Sequence, residues 1–305
     1  MHQTMRSHDG GGSTHSLKRI LLLILALSAA LTFAVTGATA APVSSVVYNA
    51  IPSPLPPNMA SLGFQATQTS EFGDYVHLGG TDRNLNAVTV TMSDWALNSD
   101  YPSMPSAGWT HPITLNIYNA VPATPLNTLG SLLGTVTQTI TIPWRPVADP
   151  TCAGGTAWRA SDGLCYNGLA FNATFDMSSL HVTLPNDVIV GVAYNTQSYG
   201  AVPIGVAGPY NSLNVGVEGS ATVGTDDNTD RVFWNTSTAA WYTDGGAAGV
   251  GIFREDTAWT PYGTIPIQIM ASAPKDQCKN GGWQTFDNPT FKNQGDCIQF
   301  FNTGK

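Results

Sequence analysis

Positive charge is scarce in this 305-residue chain, where Lys and Arg total 12 against 20 Asp and Glu and charged side chains make up 10% of the composition. Three of the basic residues, Arg6, Lys18 and Arg19, fall near the start, so beyond residue 40 nine basic side chains face nineteen acidic ones, a net of −10. Nucleic acid and anionic membrane need basic patches and are excluded as partners on that balance. No run beyond residue 40 is apolar for the roughly 20 residues that would span a bilayer. No window of eleven or more residues there keeps apolar side chains at helical spacing, and no internal repeat at a fixed period is present, which disfavours a propeller or solenoid. Beyond residue 40 histidine is reduced to His77, His111 and His181, and no C-x-x-C pair occurs, so a zinc site lacks ligands. G-x-S-x-G is missing, and Gly79-Gly80 and Gly245-Gly246 neither open a helix nor carry a Walker lysine; a serine-hydrolase elbow and a phosphate loop are set aside.

What is present points first to export. Arg6, Lys18 and Arg19 precede an apolar run, Ile20 to Val35, followed by Ala38-Thr39-Ala40; residues 1–40 read as a secretory signal peptide with its A-x-A cleavage site. The four cysteines all lie beyond it. In an exported chain an even number reads as disulfides, here two local ones, Cys152–Cys165 and Cys278–Cys297.

The rest of the chain alternates with a period of two. Phe72 to Trp95 holds two such runs, around Val76 and Leu78 and around Val88, Val90 and Met92, and Gly79, Gly80, Asp82 and Asn84 between them read as the turn of a hairpin. Ile113/Leu115/Ile117, the threonine-faced Thr135–Ile142, Phe171–Met177, Leu180/Val182/Leu184 and Val188–Tyr194 continue the pattern. Turn residues recur every eight to twelve positions or so, as in sandwiches and barrels. The expected fold is all-β, a jelly-roll-like antiparallel β-sandwich over residues 41–273, with a short disulfide-closed C-terminal segment over 274–305. In such a fold the last strand, Ile265 to Met270, would pair near the first, Val46 to Tyr48.

Two constellations carry candidate chemistry. Asp226, Asn228 and Asp230 form a D-x-N-x-D run whose alternate oxygens could hold structural calcium. The EF-hand extension fails at Arg231 and Ser237, so a solvated acidic turn is the competing reading. Eight tryptophans are the second signal, because sugar C–H faces stack on flat rings while hydroxyls bond neighbouring amides and carboxylates. Trp109, in a long loop, and Trp241 with Tyr242 and Asp244 are the best-placed candidates; Trp95 and Trp234, at strand ends, read as core closures.

CKNGGWQTFDNPTFKNQGDCIQF, Cys278 to Phe300, resembles a C-terminal segment found on many secreted actinobacterial proteins, and SLGFQATQTSEFGDYVHLGG, AVTVTMSDW, HPITLNIY and VIVGVAYNT are similar to exported bacterial β-sandwich proteins without an assigned activity. The resemblance implies export and a jelly-roll-like sandwich, and no catalytic residues. The expectation for function is a secreted, non-enzymatic binding protein that recognises extracellular carbohydrate or cell-envelope material through aromatic loops. A secreted hydrolase of glycans or esters, using His77, His111 or a carboxylate pair, is the alternative from another class. A structural protein of the cell surface, assembling through the Thr135–Thr141 face, is the third.

Overall fold

A computed structural model describes residues 44–286 and 289–303; the expected signal peptide at 1–40 lies outside the described residues. Fourteen strands are present among the described residues: β1 (Ser44–Asn49), β2 (Ser61–Gly63), β3 (Thr69–His77), β4 (Asn84–Asp94), β5 (Trp109–Val121), β6 (Thr128–Ile142), β7 (Trp158–Arg159), β8 (Cys165–Tyr166), β9 (Leu169–Asp176), β10 (Asp187–Ala193), β11 (Leu213–Gly216), β12 (Val232–Thr236), β13 (Arg254–Asp256) and β14 (Ile267–Ser272). One sheet runs β1-β14-β4-β9, with β11 and β2 added beside the end of β4; the other runs β13-β12-β3-β10-β5-β6. With the insertions β2, β7, β8 and β11–β13 set aside, the remaining eight strands take the order first–eighth–third–sixth in one sheet and second–seventh–fourth–fifth in the other. That is the double Greek key of a jelly roll. The first and last strands pair antiparallel, Ser44 opposite Ser272, as a jelly roll requires.

The core lies between the sheets and is built from the apolar halves of the alternating runs: Val88, Val90 and Met92 from β4, Ile113, Leu115 and Ile117 from β5, Val188, Val190 and Val192 from β10, and Ile267 and Ile269 from β14. A smaller cluster, Tyr75, Ile189, Phe233 and Phe253, covers the other face of the second sheet. It explains why β10 is buried on both faces.

The expected hairpin of Phe72 to Trp95 does not form. β3 pairs with β10 and β12, whereas β4 pairs with β14, β9 and β11, so Leu78–Arg83 carries the chain from one sheet to the other. Period two records that each run buries one face; it does not record which strand lies beside it. The arch is held by Arg83, whose Nη1 donates to the carbonyls of Gly79 (3.1 Å) and Asp82 (2.8 Å). Leu180–Leu184 is not a strand either. His181 turns the chain at φ 51°, and Thr183 makes an isolated bridge to Asn84.

Both expected disulfides form. Cys278–Cys297 staples a segment that is helical rather than irregular, with α1 (Pro274–Gln277) and α2 (Gln294–Thr303). The Asp296 N–H donates to Asn293 Oδ1 (2.9 Å), a cap that starts the second helix. With both cysteines fully buried and 19 positions apart, Cys278→Ser should cost about 3 kcal/mol by the loop-entropy estimate. We expect protease to cut inside 279–296 while the sandwich keeps its melting transition; a coincident loss of both would show that the segment holds the sandwich together.

The connections are unequal. At one end of the sandwich run 78–83, 122–127 and 177–186; at the other run 50–68, 95–108, 143–168 and 194–266. All four long connections thus converge on one end, where sandwiches place recognition surfaces.

Candidate functional site

At that end the 50–68, 95–108 and 194–266 connections bound a groove of about 440 Å³. Trp95, Trp259 and Tyr262 stand around it, with Met59, Leu62 and Val217 as its apolar wall. Trp95 is 40% exposed and Tyr262 45%. A smaller hollow of about 350 Å³ shares Trp95 with it and brings in Asn58, Asn167 and Glu218. Aromatic rings beside amides and a carboxylate are what a sugar-binding groove needs.

Two of the three rings are anchored. Trp95 continues the outward parity of Thr89, Thr91 and Ser93 on β4, and its indole N–H donates to Ser93 Oγ (3.0 Å), whose hydroxyl donates to Asn58 Oδ1 (2.7 Å). Gly168 makes the fit possible, because a Cβ there would lie 2.4 Å from Trp95 Nε1. Trp259 packs edge-on against the core residue Trp234 at 4.9 Å. Ala258, just before it, is held at φ 64°, a left-handed conformation that costs a non-glycine residue about 1 kcal/mol.

Among the residues singled out from sequence, Trp109 requires correction. It is 3% exposed, opens β5 with the inward parity of Ile113, and donates its indole N–H to Asp94 Oδ2 (3.2 Å), so it is core and not a loop platform. Trp241 is 49% exposed, but Tyr242 beside it is buried, its hydroxyl donating to the carbonyl of Ile252 (3.0 Å). Arg254 lies 3.8 Å over the Tyr242 ring and pairs with Asp244 (2.8 Å). Tyr242 and Asp244 therefore brace the 237–253 connection and leave Trp241 without a polar partner from this pair. Trp95, expected to close the core, is exposed instead, while Trp234 does close it at 2%.

In the D-x-N-x-D run, Asp226 accepts the Asn228 N–H (3.0 Å) and the Thr264 hydroxyl (2.5 Å), and Asp230 lies 3.6 Å from Arg231 Nε. Among the described residues no three of Asp, Glu, His and Cys gather as a metal would require. His77 Nδ1 meets Asp187 (2.7 Å), and the Tyr75 hydroxyl donates to the same oxygen. No serine joins them among the described hydrogen bonds. His111 bonds the Asn195 carbonyl (2.8 Å), stacks on Tyr210, and is held below the usual histidine range by burial.

Burial sets the electrostatics of the interior. Glu71, Asp74, Asp94, Asp226 and Glu255 are all pushed above the usual carboxylate range, chiefly by desolvation, and Asp94 reaches about 7. Such groups titrate near 4 when unfolded, so between about pH 4 and 7 the folded chain holds more protons and its stability falls as pH rises. Asp149, Asp162, Asp176, Asp187 and Asp244 shift the other way through hydrogen bonds, but they lie near the surface, are screened, and act below that window, while buried His111, held low, opposes the trend as one group against five. The urea midpoint should therefore be higher at about pH 5 than at about pH 8. Asp94→Asn, which keeps the indole acceptor, should flatten part of that slope; an unchanged slope would remove Asp94 from the account.

Among the described residues no helix is long and apolar enough to cross a membrane, and the two disulfides are compatible with an extracellular protein. No family model, no curated protein and no solved structure matches the chain, so its reading rests on its own geometry.

Proposed function

We propose that this is a secreted, non-catalytic binding protein that takes up extracellular polysaccharide or a glycan of the cell envelope in the groove of Trp95, Trp259 and Tyr262. The observation that carries the reading is the set of partly exposed rings, Trp95 and Trp259 of them anchored, that three long connections place round one groove. Stacked sugar rings would bury C–H faces on the indoles, and their hydroxyls would reach Asn58, Asn167 and Glu218. Export is part of the proposal and rests on the expected signal peptide, the disulfides and the resemblance of the C-terminal segment. The acidic surface keeps nucleic acid and anionic membrane out of it. Calcium is not needed to shape this groove, since the D-x-N-x-D run is tied to Thr264 and Arg231 rather than to the rings. A hydrolase would need a second carboxylate beside Glu218, and none lines either hollow.

The test is retention of the chain from Ala41 onward, a compact unit, on a panel of insoluble polysaccharides, with calcium and then with chelator. Retention on at least one, competed by its soluble oligosaccharide, is the expected result. Failure across the panel in both conditions would overturn the reading.

A further inference from the structure

A second concavity shares no residue with the aromatic groove. It is a trough of about 440 Å³ on the outer face of the second sheet, and strand register builds its floor. Asn235, Glu71, Ala193, Thr114 and Thr137 stand opposite one another across β12, β3, β10, β5 and β6, and the next outward row is Phe233, Gly73, Gly191, Asn116 and Thr135. The wall is the turn at Asn195–Ala201. Gly191 is required there, because a Cβ would lie 2.2 Å from Glu71 Oε1.

Glu71 is held rigidly and asymmetrically. Asn116 Nδ2 (2.8 Å) and the Tyr118 hydroxyl (3.0 Å) both donate to Oε1, and the Thr135 hydroxyl donates to Asn116 Oδ1 (2.7 Å), which fixes the amide with its donor towards the carboxylate. Oε2 accepts no hydrogen bond from the described residues. Among the described residues no Lys, Arg, His or second carboxylate lines the trough, and the other titratable group hydrogen-bonded to Glu71 is Tyr118. Glu71 is half-buried, and a carboxylate with one oxygen fixed, the other without a hydrogen bond among the described residues and no cation beside it can take one.

We infer that this trough is a second ligand site, which takes a primary ammonium against Glu71 Oε2 while the hydroxyls and amides of its floor bond neighbouring hydroxyl groups, the chemistry of an amino sugar. The threonine and asparagine floor suits the hydroxyls of a polyhydroxylated ring, and Pro112, Ala193 and Ala201 give its C–H faces an apolar contact. Burial raises the Glu71 carboxyl, so an ammonium would both bind and draw its titration downward.

The test is calorimetric titration of the folded chain with glucosamine, with N-acetylglucosamine as the uncharged control, together with the carboxyl carbon resonance of Glu71 followed against pH. Glucosamine is expected to bind saturably and at least about tenfold more tightly than the acetylated sugar, and to lower the pH at which Glu71 titrates. Glu71→Gln should weaken it by about tenfold or more. Ala201→Trp, on the exposed rim, should block the trough without touching the carboxylate network, which covers the case in which Glu71→Gln fails to fold. Trp95→Ala should change nothing here, which separates this site from the aromatic groove. Equal binding of the acetylated sugar, no saturable binding of glucosamine, or an unshifted Glu71 titration would each overturn the inference.

Discussion

Trp95→Ala should weaken polysaccharide binding by about thirtyfold, the effect of losing about 2 kcal/mol at a central aromatic anchor. Trp95 lines both hollows, so its loss would open the groove as well as remove a stacking face. The same change should leave stability within about 0.5 kcal/mol, since the ring is 40% exposed and its hydrogen bond goes to Ser93, which retains Asn58. Binding isotherms and thermal melts on one protein preparation separate the two effects. A variant that binds normally would remove Trp95 from the site.

Trp109→Ala should do the reverse. The ring is buried in the core cluster, opposite Ile142 in the β5–β6 pairing, with Trp144 at 6.2 Å and His111 at 5.9 Å, so truncation opens a cavity worth about 3–5 kcal/mol. It also strips Asp94 of its indole donor at a site with no exposure, which adds to the loss. For a domain of this size the melting temperature should drop by about 10 °C. Affinity per folded molecule should stay as in the parent chain. Lost affinity with an unchanged melt would return Trp109 to a ligand face.

These two tryptophans show how far the sequence could be read. The alternation that revealed the strands also contained their facing: Trp95 follows Thr89, Thr91 and Ser93, while Trp109 shares its parity with His111, Ile113 and Leu115. Proximity to a strand end or a loop was the weaker guide. Sheet class and both disulfides were legible because each depends on local pattern or on adjacency in the chain; the pairing of the first and last strands followed from the habit of jelly rolls and not from any residue, since Ser44 and Ser272 lie at opposite ends of the sandwich sequence. The partner of each strand was not legible, because period two is the same whether a strand crosses to the opposite sheet or turns back in its own; the Phe72–Trp95 arch is the result. The capping pair Asn293 and Asp296 was a signal for the C-terminal helix, hidden by its shortness.

The sites were less legible still. Met59, Trp95, Val217 and Tyr262 are far apart in sequence and meet only because a jelly roll sends its long connections to one end. The Glu71 row likewise exists only once five strands are in register, and no spacing along the chain announces it.

The indole N–H resonances of the eight tryptophans offer the most direct measurement of the central claim, because each reports its own surroundings. On titration with the oligosaccharide of whichever polysaccharide retains the chain, the resonances of Trp95 and Trp259 should move together and saturate, while those of Trp109, Trp234 and Trp241 stay in place. Saturating shifts at Trp241 with none at Trp95 and Trp259 would put the ligand elsewhere and contradict the groove as the binding site.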